Sequence, residues 1–130
     1  MIVLDASAAV ELLLQTAKGA PLAERLLAPD ASVHAPHLLD VEVAQVLRRF
    51  VAHGEVDAER ARQALADLVD LPLQRYSHVL LMPRIWELRH NLTAYDAAYV
   101  ALAEALGATL LTGDARVLRA PGHSVQVEVI

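Results

Sequence analysis

The chain carries two short apolar segments, far apart in sequence, that each end in a carboxylate. Ile2-Val3-Leu4 runs into Asp5, and Thr109-Leu110-Leu111-Thr112 runs through Gly113 into Asp114. Short apolar runs bounded by turn residues read as strands buried on both faces. Such strands build parallel sheets covered by helices, and ligands bind outside the carboxyl ends of those strands. The pattern therefore puts two acids where a site is expected. Carboxylates crowded in a dry site repel one another and raise each other's pKa, whereas a divalent cation makes the charged form the stable one. The first reading is a metal-binding acid pocket.

The rest of the chain alternates helices with strands. Helices are predicted over Ser7 to Leu14, Pro21 to Leu27, Pro36 to about Ala52, Ala58 to Val69, Pro83 to Arg89 and Thr93 to Leu106, with a short helical turn after Asp114. Further strands are predicted over Ser32 to Ala35, Leu71 to Tyr76 and Val125 to Ile130, with the strand before Asp114 opening at Ala108. Asp57 is suited to cap the helix from Ala58, and Gly107 to stop the one ending at Leu106. Pro72 keeps its strand at an edge or a strand start. The alternation of Val125, Val127 and Val129 marks a half-exposed edge strand. At 130 residues the chain is expected to be one domain. Its fold class is α/β, a three-layer α/β/α arrangement around a mostly parallel central sheet of about five strands.

Composition narrows the chemistry. There is no cysteine, which removes disulfides, thiolate zinc sites and thiol nucleophiles together. Neither a signal peptide nor a transmembrane segment is expected at the amino terminus, and a reducing cytoplasm fits. The formal net charge of −5 argues against a nucleic-acid partner, unless two divalent ions on the acids bring it close to neutral. Of 11 basic residues only Lys18 is not arginine, and arginine is suited to bidentate phosphate contact. Ordinary solvated helix faces account for any one of them equally well.

Two more acids fall on helix faces that should be covered. At ~100° per residue, Leu39, Val43, Val46 and Phe50 form the centre of an apolar arc with Leu38 and Leu47 at its edges, and Glu42 falls inside it. A charged side chain is rarely buried without a partner. Asp40 lies just outside the arc, in the first turn, where an acid suits the helix dipole. Asp96 sits on a helix that is apolar almost all round, sharing a face with Tyr99, Val100 and Ala103. Thr93-x-x-Asp96 also matches a capping box. Asp5 and Asp114 each have a structural alternative as helix caps, and Thr112 is either a supporting hydroxyl or strand filler. The six histidines show no metal-ligand spacing; His37, near the start of the Glu42 helix, is the one placed to reach a substrate. No glycine-rich phosphate loop is present.

These segments resemble the PIN-domain ribonucleases, specifically VapC-type toxins of bacterial toxin–antitoxin pairs. The matching stretches are Ile2-Val3-Leu4-Asp5-Ala6-Ser7, Pro36-His37-Leu38-Leu39-Asp40-Val41-Glu42-Val43, Leu92-Thr93-Ala94-Tyr95-Asp96-Ala97-Ala98-Tyr99 and Leu111-Thr112-Gly113-Asp114. Each is short, but they come in the family's order and span nearly the whole chain. The resemblance implies that Asp5, Glu42, Asp96 and Asp114 form an acidic quartet, with Ser7 and Thr112 as supporting hydroxyls. It implies Mg²⁺- or Mn²⁺-dependent hydrolysis of RNA phosphodiester bonds, with Asp5, Asp96 and Asp114 on the metal and Glu42 reaching it through water. Some relatives carry a further acid after the Asp114 equivalent, where this chain has Val117 and Leu118. The implied partners are a cognate antitoxin that wraps the toxin, an RNA substrate and a second copy in a homodimer, with no membrane. The helices Val10 to Leu14 and Leu22 to Leu27 offer apolar docking ground, or simply core. Two rivals stand: a catalytically silent PIN-fold binding module, and an aspartyl-phosphate phosphotransfer domain. The latter needs a well-placed lysine, and Lys18 is far from the last strands.

Overall fold

Short buried strands and helices with one apolar face can cover one another only by stacking in layers. The computed structural model describes residues 1–130. In order it contains β1 (Ile2–Leu4), α1 (Ala6–Leu13), α2 (Gly19–Leu26), β2 (Val33–Pro36), α3 (Leu38–Ala52), α4 (Ala58–Asp70) and β3 (Leu73–Tyr76). A 3₁₀ turn (Val79–Leu81) then leads into α5 (Met82–Glu87), followed by α6 (Ala94–Leu106), β4 (Thr109–Thr112), α7 (Ala115–Arg119) and β5 (Val127–Val129). The five strands form one sheet in the order β3-β2-β1-β4-β5. Every pairing is parallel, so the expected sheet is present and its mostly parallel character is complete. Helices α1 and α3 pack on one face and α6 on the other, giving the three layers.

The central strands are dry because nothing in them needs water. Val3, Leu4 and Leu111 are fully enclosed, as are Leu39 and Val43 of α3. Burying a side chain of this size contributes roughly 1.5–3 kcal/mol relative to leaving it exposed. Seven consecutive residues of α6, Ala97 to Ala103, are buried; the alanines among them let the helix lie close against β1, β2 and β4. The caps follow the local sequence. Asp57 accepts from the Arg60 amide at 2.8 Å, Thr93 accepts from the Asp96 amide at 3.1 Å, and Gly107 takes the left-handed conformation that ends α6.

Several boundaries differ from expectation. Pro36 closes β2 rather than opening α3: it pairs with Tyr76, and His37 N–H continues the ladder to the Tyr76 carbonyl at 2.9 Å. A proline lacks the donor a strand interior needs but suits a strand end as well as a helix start. The helix expected from Pro83 begins at Met82 behind the 3₁₀ turn and stops at Glu87. The last strand is confined to Val127–Val129, at an edge as predicted. The apolar faces of α1 and α2 are largely spent on packing: Val10, Leu13, Leu22 and Leu26 are buried, while Leu27 is 66% exposed. No helix is long and apolar enough to cross a membrane.

Candidate active site

The carboxyl ends of β1 and β4 lie side by side because Leu4 pairs with Leu111. The ladder runs one step further, from the Asp5 amide to the Leu111 carbonyl at 3.2 Å, which sets Asp5 beside Thr112. Asp5 is only 7% exposed, and both of its oxygens are occupied. One accepts from the Ala8 amide at 3.0 Å, capping α1, and from the Ser7 hydroxyl at 2.6 Å. The other accepts from the Thr112 hydroxyl. Burial pushes the Asp5 carboxyl above its ordinary range, against the pull of those bonds. Thr112 in turn accepts from the Asp114 amide at 3.0 Å, and Ser7 accepts from the Gly113 amide at 2.7 Å. The two hydroxyls thus tie the exits of the two strands together. Gly113 suits that closeness: a Cβ there would sit 3.1 Å from the Ser7 hydroxyl oxygen and 3.2 Å from its Cβ, tight enough to press Ser7 aside by a few tenths of an ångström.

Glu42 enters from α3 and Asp96 from α6. Glu42 is half-buried and accepts from the Tyr99 hydroxyl at 2.5 Å. Burial raises its pKa, and the nearby charges of Asp96 and Asp5 raise it further. Asp96 is raised in the same way, first by burial and then by Asp114 and Asp5. Tyr99 is held far up by burial and by its bond to Glu42, so it remains the donor of that pair. Asp114 stands apart. Its carboxylate accepts from the Arg116 amide at 2.9 Å and from the Arg116 guanidinium at 3.0 Å and 2.7 Å, which holds its pKa below the ordinary value.

Asp5, Glu42, Asp96 and Asp114 all line one cavity of about 410 Å³, together with Ser7, Tyr99, Arg49 and Arg116. The larger cavity of about 720 Å³ lies among Glu104, Gly107, Thr109 and Gln126, at the other end of β4, away from the acids. No three of the acidic or histidine side chains converge tightly enough to form a ready metal cage. The acids share a pocket rather than a point, and Asp114 has an internal counter-ion. The donor set still fits a hard divalent ion: it is all oxygen, and three of the four carboxyls resist ionisation where they stand, a cost that a bound cation reverses.

The remaining expectations sort cleanly. Asp40, the rival to Glu42, faces away and takes a bidentate fork from Arg75 at 2.8 and 2.9 Å. His37 is exposed and stacks edge-on against His78, 6.1 Å between centroids; it does not line the pocket. Tyr99 and Arg116 were missed as partners of acids. The available signals were a phenol one turn after Asp96 on an otherwise aliphatic helix, and an arginine two residues after Asp114.

Comparison with known proteins agrees with this fold. The PIN domain family model matches residues 2–122. The chain is 46% identical over 129 residues to Ribonuclease VapC1 of Mycobacterium tuberculosis, covering 98% of this chain and 96% of that protein. It is 41% identical to Ribonuclease VapC12 of the same organism, over 100% of this chain and 99% of the relative. A crystal structure of VapBC2 from Rickettsia felis, bound to a DNA fragment from its promoter, superposes with a TM-score of 0.71. That match has 17% identity and covers 99% of this chain and 98% of the other. The chain belongs to the PIN-domain family, within its VapC-type ribonucleases.

Proposed function

We propose that the protein is a divalent-metal-dependent endoribonuclease, the toxin of a type II toxin–antitoxin pair, using Mg²⁺ or Mn²⁺. The observation that carries the reading is four acids from β1, α3, α6 and the β4 exit lining one cavity while only one of them has a cationic partner. Full-length likeness to proteins named as ribonucleases supplies the substrate class.

In this reading Asp5, Asp96 and Asp114 would hold the ion, with Glu42 binding it through water. The ion supplies activation of the attacking water and charge neutralisation at the phosphate. Ser7 and Thr112 fix Asp5 so that it need not reorganise as charge develops. Glu42, oriented by the Tyr99 hydroxyl at 2.5 Å, would be the acid placed to accept a proton from the attacking water. The antitoxin, a second copy in a homodimer and a cytoplasmic location complete the proposal. Leu80 at 90% and Trp86 at 67% exposure give apolar surface of the kind partner chains cover.

The test is incubation of purified protein with total RNA in Mg²⁺ or Mn²⁺, in EDTA, and with Asp96→Ala. Cleavage with mapped ends that disappears in EDTA and in the variant is expected. RNA left intact by the parent protein with metal present overturns the reading. The silent-module rival predicts that second result.

A further inference from the structure

An acid pocket in a protein of net charge −5 must still attract a polyanion, so the positive charge has to come from its walls. Five of the ten arginines hold a carboxylate: Arg25, Arg62, Arg75, Arg84 and Arg116. Arg60 donates to the Leu13 carbonyl, and Arg89 lies 4.5 Å over the Trp86 ring. Among the arginines left without such a partner, Arg49 alone lines the acid cavity. The other cavity arginine is Arg116, whose side chain is 86% exposed although it grips Asp114.

The topology sets these two on opposite walls. Arg49 is on α3, which packs beside β2, and Arg116 is on α7, which packs beside β5. In the sheet, β2 and β5 lie on either side of the β1–β4 pair that carries Asp5 and Asp114. Both forks can thus meet phosphates of a strand laid across the pocket. The Arg116 fork can leave without disturbing its acid, because the Arg116 amide continues to donate to Asp114 at 2.9 Å. An exposed ion pair of this kind is weakly held. Asp114 cannot give the same lone pairs to a hard cation and to a guanidinium.

We propose that Arg49 and Arg116 grip the RNA backbone on either side of the acid pocket, Arg116 being parked on Asp114 until the pocket is loaded. The inference rests on the ribonuclease reading and adds the residues that hold the substrate. Arginine forks make bidentate contacts to phosphate, and contacts of this kind position a strand without reading its sequence.

The test is anisotropy of a labelled single-stranded RNA oligonucleotide, with salt titrations, in EDTA and in calcium. The samples are the parent, Arg49→Gln, Arg49→Lys, Arg116→Gln and, as a surface control, Arg62→Gln. In calcium, Arg49→Gln and Arg116→Gln should each bind about fivefold more weakly, with the salt slope reduced by about 0.7 for each lost phosphate. In EDTA only Arg49→Gln should lose affinity, and Arg49→Lys should restore most of the slope. Parent-like affinity and slope in Arg49→Gln, or an equal loss in Arg62→Gln, overturns the grip. A loss in Arg116→Gln as large in EDTA as in calcium overturns the parking. These results leave the ribonuclease reading intact if the parent cuts RNA; failure of the parent to cut removes that reading by its own test.

Discussion

Asp40 and Glu42 stand two residues apart on the same helix and have opposite circumstances. Asp40 receives two guanidinium bonds from Arg75 and closes a strand-to-helix contact. Glu42 receives one phenol hydroxyl and faces two other carboxylates, so its charge is opposed where Asp40's is answered. The same contrast separates Glu104, forked by Arg84 at the last turn of α6, from Asp96 on its first turn. Acids that serve the fold come with their cation. Acids left to repel one another are stable choices only if something else arrives to compensate them.

The contrast can be broken by mutation. Asp5→Asn should give the largest effect, a loss of RNA cleavage of more than about 100-fold, the upper end of what outer-shell changes cost at a metal centre. The amide can still accept from Ser7 and Ala8, so the circular dichroism spectrum and cooperative melting should persist; cleavage at the parent rate removes Asp5 from the chemistry. Next, manganese at about 100 times its dissociation constant should stabilise the parent by about 2.7 kcal/mol. Asp96→Asn should lose most of that gain in a thermal-shift titration, whereas Asp40→Asn should keep it. Tyr99→Phe should lower cleavage about tenfold with little change in melting, and an unchanged rate would mean that Glu42 needs no orientation. The smallest effect belongs to the answered acid: Asp40→Ala should cost about 1 kcal/mol by chemical denaturation, since the pair is partly exposed, and leave RNA cleavage intact.

Legibility followed the range of the determining contact. Features fixed within a few residues were readable: the left-handed stop at Gly107, the caps at Asp57 and Thr93, and the apolar arc that places Glu42 inward. Pro36 was ambiguous because the same missing donor suits a strand end and a helix start; Tyr76, on another strand, decided it. The bond from Tyr99 to Glu42 joins α6 to α3 and leaves no local trace. Arg116 is close to Asp114 in sequence, yet its grip depends on how α7 leaves the sheet. The sequence pattern places Asp5 and Asp114 at strand ends and Glu42 and Asp96 on covered helix faces, and the family resemblance gathers them into a quartet, but neither reveals that they line a cavity without closing into a cage.

Strand β1 is the middle strand of the sheet, flanked by β2 and β4. Its neighbour on one side, β4, sets Thr109 opposite Ile2, so the two strands that lead to Asp5 and Asp114 meet across most of the domain's sequence. Closing that long loop is a condition of the site: a chain in which β4 has not yet docked carries Asp5, Glu42 and Asp96 without the completed sheet that brings them to one pocket.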